Sequence, residues 1–164
     1  MPSIEDIYEQ AQQVVMTYTE AGYMVATAES CTGGLIAAAL TDVAGSSAVL
    51  DRSFVTYSNA AKASMLGVSP DLIERVGAVS EEVALAMAQG ALANSRAQVA
   101  ISVTGIAGPG GGTADKPVGT IWFGMAKTDG PSRAFKHLYE DQDRRSVRYL
   151  TVETALNTLL KNGF

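Results

Sequence analysis

Two glycine-rich turns, each entered from an apolar run of strand length, constrain this chain more than any other feature. The first is Thr27-Ala28-Glu29-Ser30-Cys31-Thr32-Gly33-Gly34, after Tyr23-Met24-Val25-Ala26. The second is Thr104-Gly105-Ile106-Ala107-Gly108-Pro109-Gly110-Gly111-Gly112-Thr113, after Val99-Ala100-Ile101-Ser102-Val103. Glycine lets backbone approach a ligand closely and exposes N–H groups. A hydroxyl beside such a turn serves as nucleophile or phosphate ligand. The pair therefore predicts one site built from two strand ends.

The remaining pattern alternates helix and strand. Ile4, Ile7, Ala11, Val14, Val15 and Tyr18 fall at helical spacing over 4–21, and Gly22 stands where a C-cap belongs. A buried strand is expected at 23–28 and a small-residue helix at 32–41. The stretch 46–57 is β-rich, interrupted by Asp51 and Arg52. Ser58 caps a helix over 59–66 that Gly67 ends, Ser69-Pro70 opens a short helix, and Ser80 caps a strong one over 81–94. Strands follow at 98–104, 118–126 and 133–140, the last two joined by Thr128-Asp129-Gly130-Pro131. A helix over 143–161 closes the chain. This order predicts a layered α/β/α fold with a mixed, partly parallel sheet, in a single domain over 1–164.

Bulk properties narrow the classes. The 164 residues suffice for one full hydrophobic core. A net charge of -5 argues against general nucleic-acid binding, which needs a basic excess. One cysteine permits no internal disulfide and suits a reducing cytoplasm. The start, Met1-Pro2-Ser3-Ile4-Glu5-Asp6, lacks a signal-peptide pattern, and no apolar run spans a bilayer. The expectation is a cytoplasmic protein with no membrane or nucleic-acid partner. With one cysteine and one histidine, no metal site and no cofactor are expected.

Ser30 reads either as a helix N-cap or as a nucleophile whose oxyanion faces the N–H groups of Cys31 to Gly34. A nucleophilic serine needs a base. His137, the one histidine, lies in a strand-like run and reads as an edge or structural residue. Lys62 is the favoured base: the positive helix end and partial burial both favour its neutral amine, although an exposed helix lysine is the plainer reading. Tyr57 either orients this site or packs as an aromatic. Cys31 reads as a small buried thiol, with a nucleophilic role as the alternative. The second turn lacks the Gly-Lys-Ser/Thr of a phosphate loop and is a strand connection or an anion cradle. Thr104 stands ready to hydrogen-bond a substrate amide or the nucleophile. Arg144 opens the last helix in Asp143-Arg144-Arg145-Ser146-Val147-Arg148, a solvated charge run or a phosphate-binding fork. Phe54, Trp122, Phe123 and Phe164 pack internally or across a subunit contact.

Together these segments resemble the CinA C-terminal domain family of nicotinamide mononucleotide deamidases. The likeness runs through Ala28-Glu29-Ser30-Cys31-Thr32-Gly33-Gly34, Gly45-Ser46-Ser47, Tyr57-Ser58-Asn59 with Lys62, Leu66-Gly67-Val68 and Gly77-Ala78-Val79-Ser80. It continues through Thr104 to Gly111, Lys116-Pro117-Val118-Gly119-Thr120 and Asp143-Arg144 with Val147-Arg148; Gln142 departs from an expected glycine. The resemblance implies hydrolysis of the carboxamide of nicotinamide mononucleotide to nicotinic acid mononucleotide and ammonia, in pyridine nucleotide salvage. It implies Ser30 as nucleophile, Lys62 as base and Tyr57 as a further catalytic residue. It also implies a substrate-binding set of Thr104, Arg144, Cys31, Gly33, Gly34, Gly105 and Ser47, and a homodimer. The extra N-terminal domain of many members, and its chemistry, is not expected here. Two rival classes remain: a non-catalytic nucleotide- or phosphate-binding module, and a protein-interaction module tied to DNA uptake.

Overall fold

The computed structural model describes residues 1–162; of the aromatic residues singled out above, Phe164 lies outside them. The elements run α1 (Ile4–Ala21), β1 (Val25–Glu29), α2 (Leu35–Thr41), β2 (Leu50–Val55), α3 (Asn59–Leu66), α4 (Pro70–Val76), α5 (Glu81–Ala93), β3 (Val99–Gly105), β4 (Thr120–Lys127), β5 (Arg133–Leu138) and α6 (Arg144–Asn162). A short 3₁₀ turn, Ser46–Ala48, precedes β2.

The five strands form one sheet in the order β2-β1-β3-β4-β5. β1 pairs parallel with both β2 and β3, while β4 and β5 add antiparallel. The mixed α/β arrangement read from the sequence is therefore the one observed. Strand alternation sorts two apolar faces. Val25, Val99, Ile101, Val103, Ile121, Phe123 and Met125 pack with α1, α2 and α6. Ala26, Ala28 and Ala100 pack with residues of α3, α4 and α5. Phe123 stacks on Phe135 at 4.9 Å within the first face, and Phe54 packs against the second.

The second face is small for a reason. Ser102 Oγ donates to the carbonyl of Ala84 on α5 at 2.6 Å, so this helix lies close on the sheet. A Cβ on Gly124 of β4 would strike the Ala84 carbonyl oxygen and Ser102 Oγ.

Element boundaries differ from the sequence reading at informative places. The helix expected from 32 begins at Leu35, because Gly33 and Gly34 adopt φ of 63° and 99° and break the right-handed run. Asp51 and Arg52 do not interrupt β2. The Asp51 carboxylate, its side chain 1% exposed, takes ion pairs from Arg52 and Arg96 and the Arg96 backbone N–H. Those hydrogen bonds, the Arg96 N–H foremost, hold its carboxyl down at about 2. At the turn before α6 the left-handed residue is Asp141, with φ 54°, not Gln142. Among the described residues no helix is long and apolar enough to cross a membrane.

Gly124→Ala tests the close approach of α5. The added methyl should cost about 1–3 kcal/mol, as overpacking against backbone does, read as a lower urea midpoint with an unchanged slope.

Candidate active site

β1 and β3 end side by side, and carboxyl ends of neighbouring strands in an open α/β sheet form a natural crevice. The pairing continues one residue past β1, where the Ser30 N–H donates to the Val103 carbonyl at 3.0 Å. The chain then turns through Gly33 and Gly34 into α2. Ser30 does not cap that helix. Its N-cap is Gly34, which has no side-chain cap, and the first-turn amides of Ile36 and Ala37 donate instead to the Glu29 carboxylate at 3.0 and 2.9 Å. The Ser30 hydroxyl is thereby left for another partner.

That partner comes from the opposite face of the sheet. Ser58 caps α3 by accepting from the Ala61 N–H at 3.0 Å, and Lys62 follows on the same first turn. Its Nζ donates to Ser30 Oγ at 3.1 Å and to the Thr56 carbonyl at 3.0 Å. Lys62 is 1% exposed, against 8% for Ser30. Burial pushes the lysine's pKa down, because desolvation penalises the ammonium; the Cys31 thiolate form would oppose this. Cys31 itself is buried, and desolvation pushes its thiol up to about 12, so at neutral pH it is protonated. The pair beside it combines an amine biased toward its neutral form with an alcohol within hydrogen-bond reach, the arrangement a general base and its nucleophile require.

A cleft of about 210 Å³ opens over this pair. Ser30, Cys31, Tyr57, Lys62, Thr104, Gly105 and Arg144 all line it. Thr104 Oγ1 donates to the Ala78 carbonyl at 2.9 Å, which commits its proton and leaves its lone pairs as acceptors. Tyr57 is 61% exposed at the rim, where its hydroxyl accepts from Arg144 Nη2 at 3.0 Å. Arg144 Nη1 donates to the Gly108 carbonyl at 2.8 Å, tying the second glycine turn to α6. Gly105 serves packing as well, since a Cβ there would strike Ile121.

Three residues expected at the site do not line the cleft. Ser47 is exposed in the 3₁₀ turn before β2, whose first residue pairs with Val25 at the far end of β1 from Ser30. Gly33 and Gly34 shape the turn without lining the cleft. Their amides are also not open donors, contrary to the expectation for Cys31 to Gly34. The Gly33 N–H donates to the Ser30 carbonyl and the Gly34 N–H to Glu29, both at 3.1 Å. The amides of Cys31 and Thr32 remain.

Asn59, Ala78, Val79 and Ala107 line the cleft without having been singled out. Asn59 had a readable signal, lying three residues before Lys62 and so on its helix face. Arg148 was another omission. Its Nε donates to the Cys31 carbonyl at 3.1 Å and its Nη2 to the Thr32 carbonyl at 2.8 Å, clamping the first turn from α6. Its spacing of four from Arg144 puts both guanidinium groups on one helix side.

Comparison with known proteins finds relatives over nearly the whole chain. Residues 7–162 match the model of the CinA C-terminal domain. A nicotinamide-nucleotide amidohydrolase PncC from Enterobacter agglomerans is 51% identical over 95% of this chain and 97% of its own length. A CinA-like protein from Akkermansia muciniphila is also 51% identical, over 90% of this chain but 35% of its own length. The crystal structure of the competence/damage inducible protein CihA from Agrobacterium tumefaciens superposes with a TM-score of 0.93 at 52% identity, covering 98% of this chain and 96% of that one.

The lowered lysine pKa has a thermodynamic signature. In the window between the depressed folded value and the ordinary value, the unfolded chain binds a proton that the folded one does not, so stability rises with pH. The cost of the buried ammonium is fully present below that window and relieved above it. Wild type should therefore gain on Lys62→Met as pH rises toward the lysine range, measured as the gap between their urea midpoints. A gap constant with pH would contradict the shift.

Proposed function

The chain belongs to the CinA C-terminal domain family, and from that premise we propose that it hydrolyses the carboxamide of nicotinamide mononucleotide to nicotinic acid mononucleotide and ammonia. The observation that carries the reading is the buried Lys62 Nζ at 3.1 Å from Ser30 Oγ, beneath a cleft open to a small ligand. In this mechanism neutral Lys62 takes the Ser30 proton as Oγ bonds to the carboxamide carbon. The oxyanion meets the remaining turn amides, of which Cys31 borders the cleft. Lys62 returns its proton to the amide nitrogen, the C–N bond breaks and ammonia leaves. Water, deprotonated by the same lysine, then attacks the acyl-enzyme and releases the acid and Ser30.

The other residues divide the substrate. Thr104 Oγ1, its proton committed to Ala78, accepts from the carboxamide N–H. Arg144 uses two of its five N–H donors on Gly108 and Tyr57, so three remain for a phosphate at the rim. Tyr57 holds Arg144 in that position and flanks the ring. The raised pKa of Cys31 supports serine over thiol as nucleophile. A homodimer acting in the cytoplasm belongs to the same reading. It is supported by the exposed apolar side chains Ile4, Tyr8 and Met16 along α1 and by the one buried, unpaired cysteine.

Ammonia release from nicotinamide mononucleotide is the direct test. Ser30→Ala and Lys62→Met should each lower kcat by at least about 10³, and Cys31→Ala should retain most activity. Near-normal turnover in either of the first two ends the mechanism. A protein stabilised by the mononucleotide that releases no ammonia would be a binding module instead. Arg144→Ala should raise KM by about ten- to a hundredfold with a smaller effect on kcat, as loss of charged hydrogen bonds to phosphate predicts. kcat/KM should climb with pH through the lowered Lys62 pKa and level off below the ordinary lysine range.

A further inference from the structure

Among the described residues Lys62 and Glu29 are the two of acidic or basic type buried as whole residues, and both adjoin Ser30, whereas the covered Asp51 carboxylate is paired with Arg52 and Arg96. The mechanism uses Lys62. Glu29, 0% exposed and adjacent to the serine, does not border the cleft. Both its oxygens are nonetheless fully engaged. Oε1 accepts from the Ala37 N–H at 2.9 Å and from Thr27 Oγ1 at 3.3 Å. Oε2 accepts from Thr32 Oγ1 at 2.7 Å, the Ile36 N–H at 3.0 Å and the Gly34 N–H at 3.1 Å.

We propose that Glu29 is a positioning residue that seats the Ser30 hydroxyl against Lys62, by tying the turn that follows Ser30 back onto the end of β1. The proposal rests on the serine–lysine reading above. The Glu29 backbone is fixed in the sheet between Val55 and Val103. Its side chain holds residues 32, 34, 36 and 37, so Ser30 sits inside a ring closed at both ends. Arg148 grips the outer side of the same ring through the Cys31 and Thr32 carbonyls. An unanchored turn with two left-handed glycines would let Oγ wander, and an ångström of misplacement costs about a hundredfold in rate. The carboxylate has a second consequence. It already occupies the Gly34, Ile36 and Ala37 amides at the start of α2, so these are not offered to a substrate's anionic end, and Arg144 is left as the donor at the rim.

The test reads Ser30 directly. Labelling of Ser30 by a fluorophosphonate, followed by mass spectrometry across pH, reports the seat of Oγ independently of the natural substrate. Ammonia release supplies kcat and KM beside it. In Glu29→Gln the side-chain amide would aim N–H donors at N–H donors, so the ring should loosen. The labelling plateau and kcat should each fall about ten- to a hundredfold, with KM within about twofold of wild type. The acid limb should stay where Lys62 sets it, which a general loss of structure would not preserve. Thr32→Val removes the shortest of the hydrogen bonds while keeping the side-chain shape, and decides the matter if Glu29→Gln does not fold. It should lower the plateau about threefold or more, with the same unshifted limb. Wild-type labelling rates in folded Thr32→Val or Glu29→Gln, or a displaced limb, overturn the positioning role and leave the serine–lysine reading standing. A wild-type Ser30 that does not label at all overturns both.

Discussion

A primary amine buried to 1% exposure is the constraint around which this structure is arranged. Removing an ammonium from water is costly unless it is neutralised or well bonded. Here the Thr56 carbonyl and the Ser30 hydroxyl supply the two partners, and the fold supplies both from strand ends. β2 runs just far enough for the Thr56 N–H to pair with the Glu29 carbonyl at 2.9 Å, which aims the Thr56 carbonyl. The Ser58 cap then starts α3 so that its first turn carries the lysine over the sheet edge. Each step is ordinary local chemistry; together they hold an amine out of bulk water at the floor of the cleft.

The two faces of the sheet have different duties. Larger side chains face α1, α2 and α6 and form the main core, while alanine, serine and glycine on the other face let α5 settle close. This asymmetry leaves a crevice at the β1 and β3 ends between helices from opposite faces, with α3 bringing Lys62 and α6 bringing Arg144 and Arg148. The second glycine turn is held across this crevice by Arg144 through Gly108, and near its end Lys116 Nζ donates to the Val76 carbonyl at 2.8 Å. A glycine-rich segment that reads as flexible in isolation is anchored at two places.

Much of this was legible beforehand. Periodicity and caps located the helices to within a few residues, and alternation of helix and strand predicted the mixed sheet. Ser30, Lys62, Thr104 and Arg144 stood out by their places at strand ends and helix starts and by the family resemblance, although Ser30, Lys62 and Arg144 each also had a plain structural reading in the sequence. What could not be read is as instructive. The start of α2 slipped by three residues because left-handed glycines are silent in a periodicity count. The turn amides looked available because nothing in the string shows Glu29 folding back onto them. Ser47 carries a family signature, yet in this chain it lies beyond the opposite end of β1. Asn59 and Arg148 were visible by helical spacing, but only once their neighbours Lys62 and Arg144 had been accepted as anchors.

The contacts that define the cleft join residues far apart along the chain: Ser30 with Lys62 across 32 positions, Tyr57 with Arg144 across 87, and Cys31 with Arg148 across 117. Each is a loop whose closure entropy is repaid only when the sheet and both helix layers have condensed. The complete cleft therefore forms only with the sheet and both helix layers in place. The geometry of the cleft is a report on global folding, appearing and vanishing with the cooperative transition.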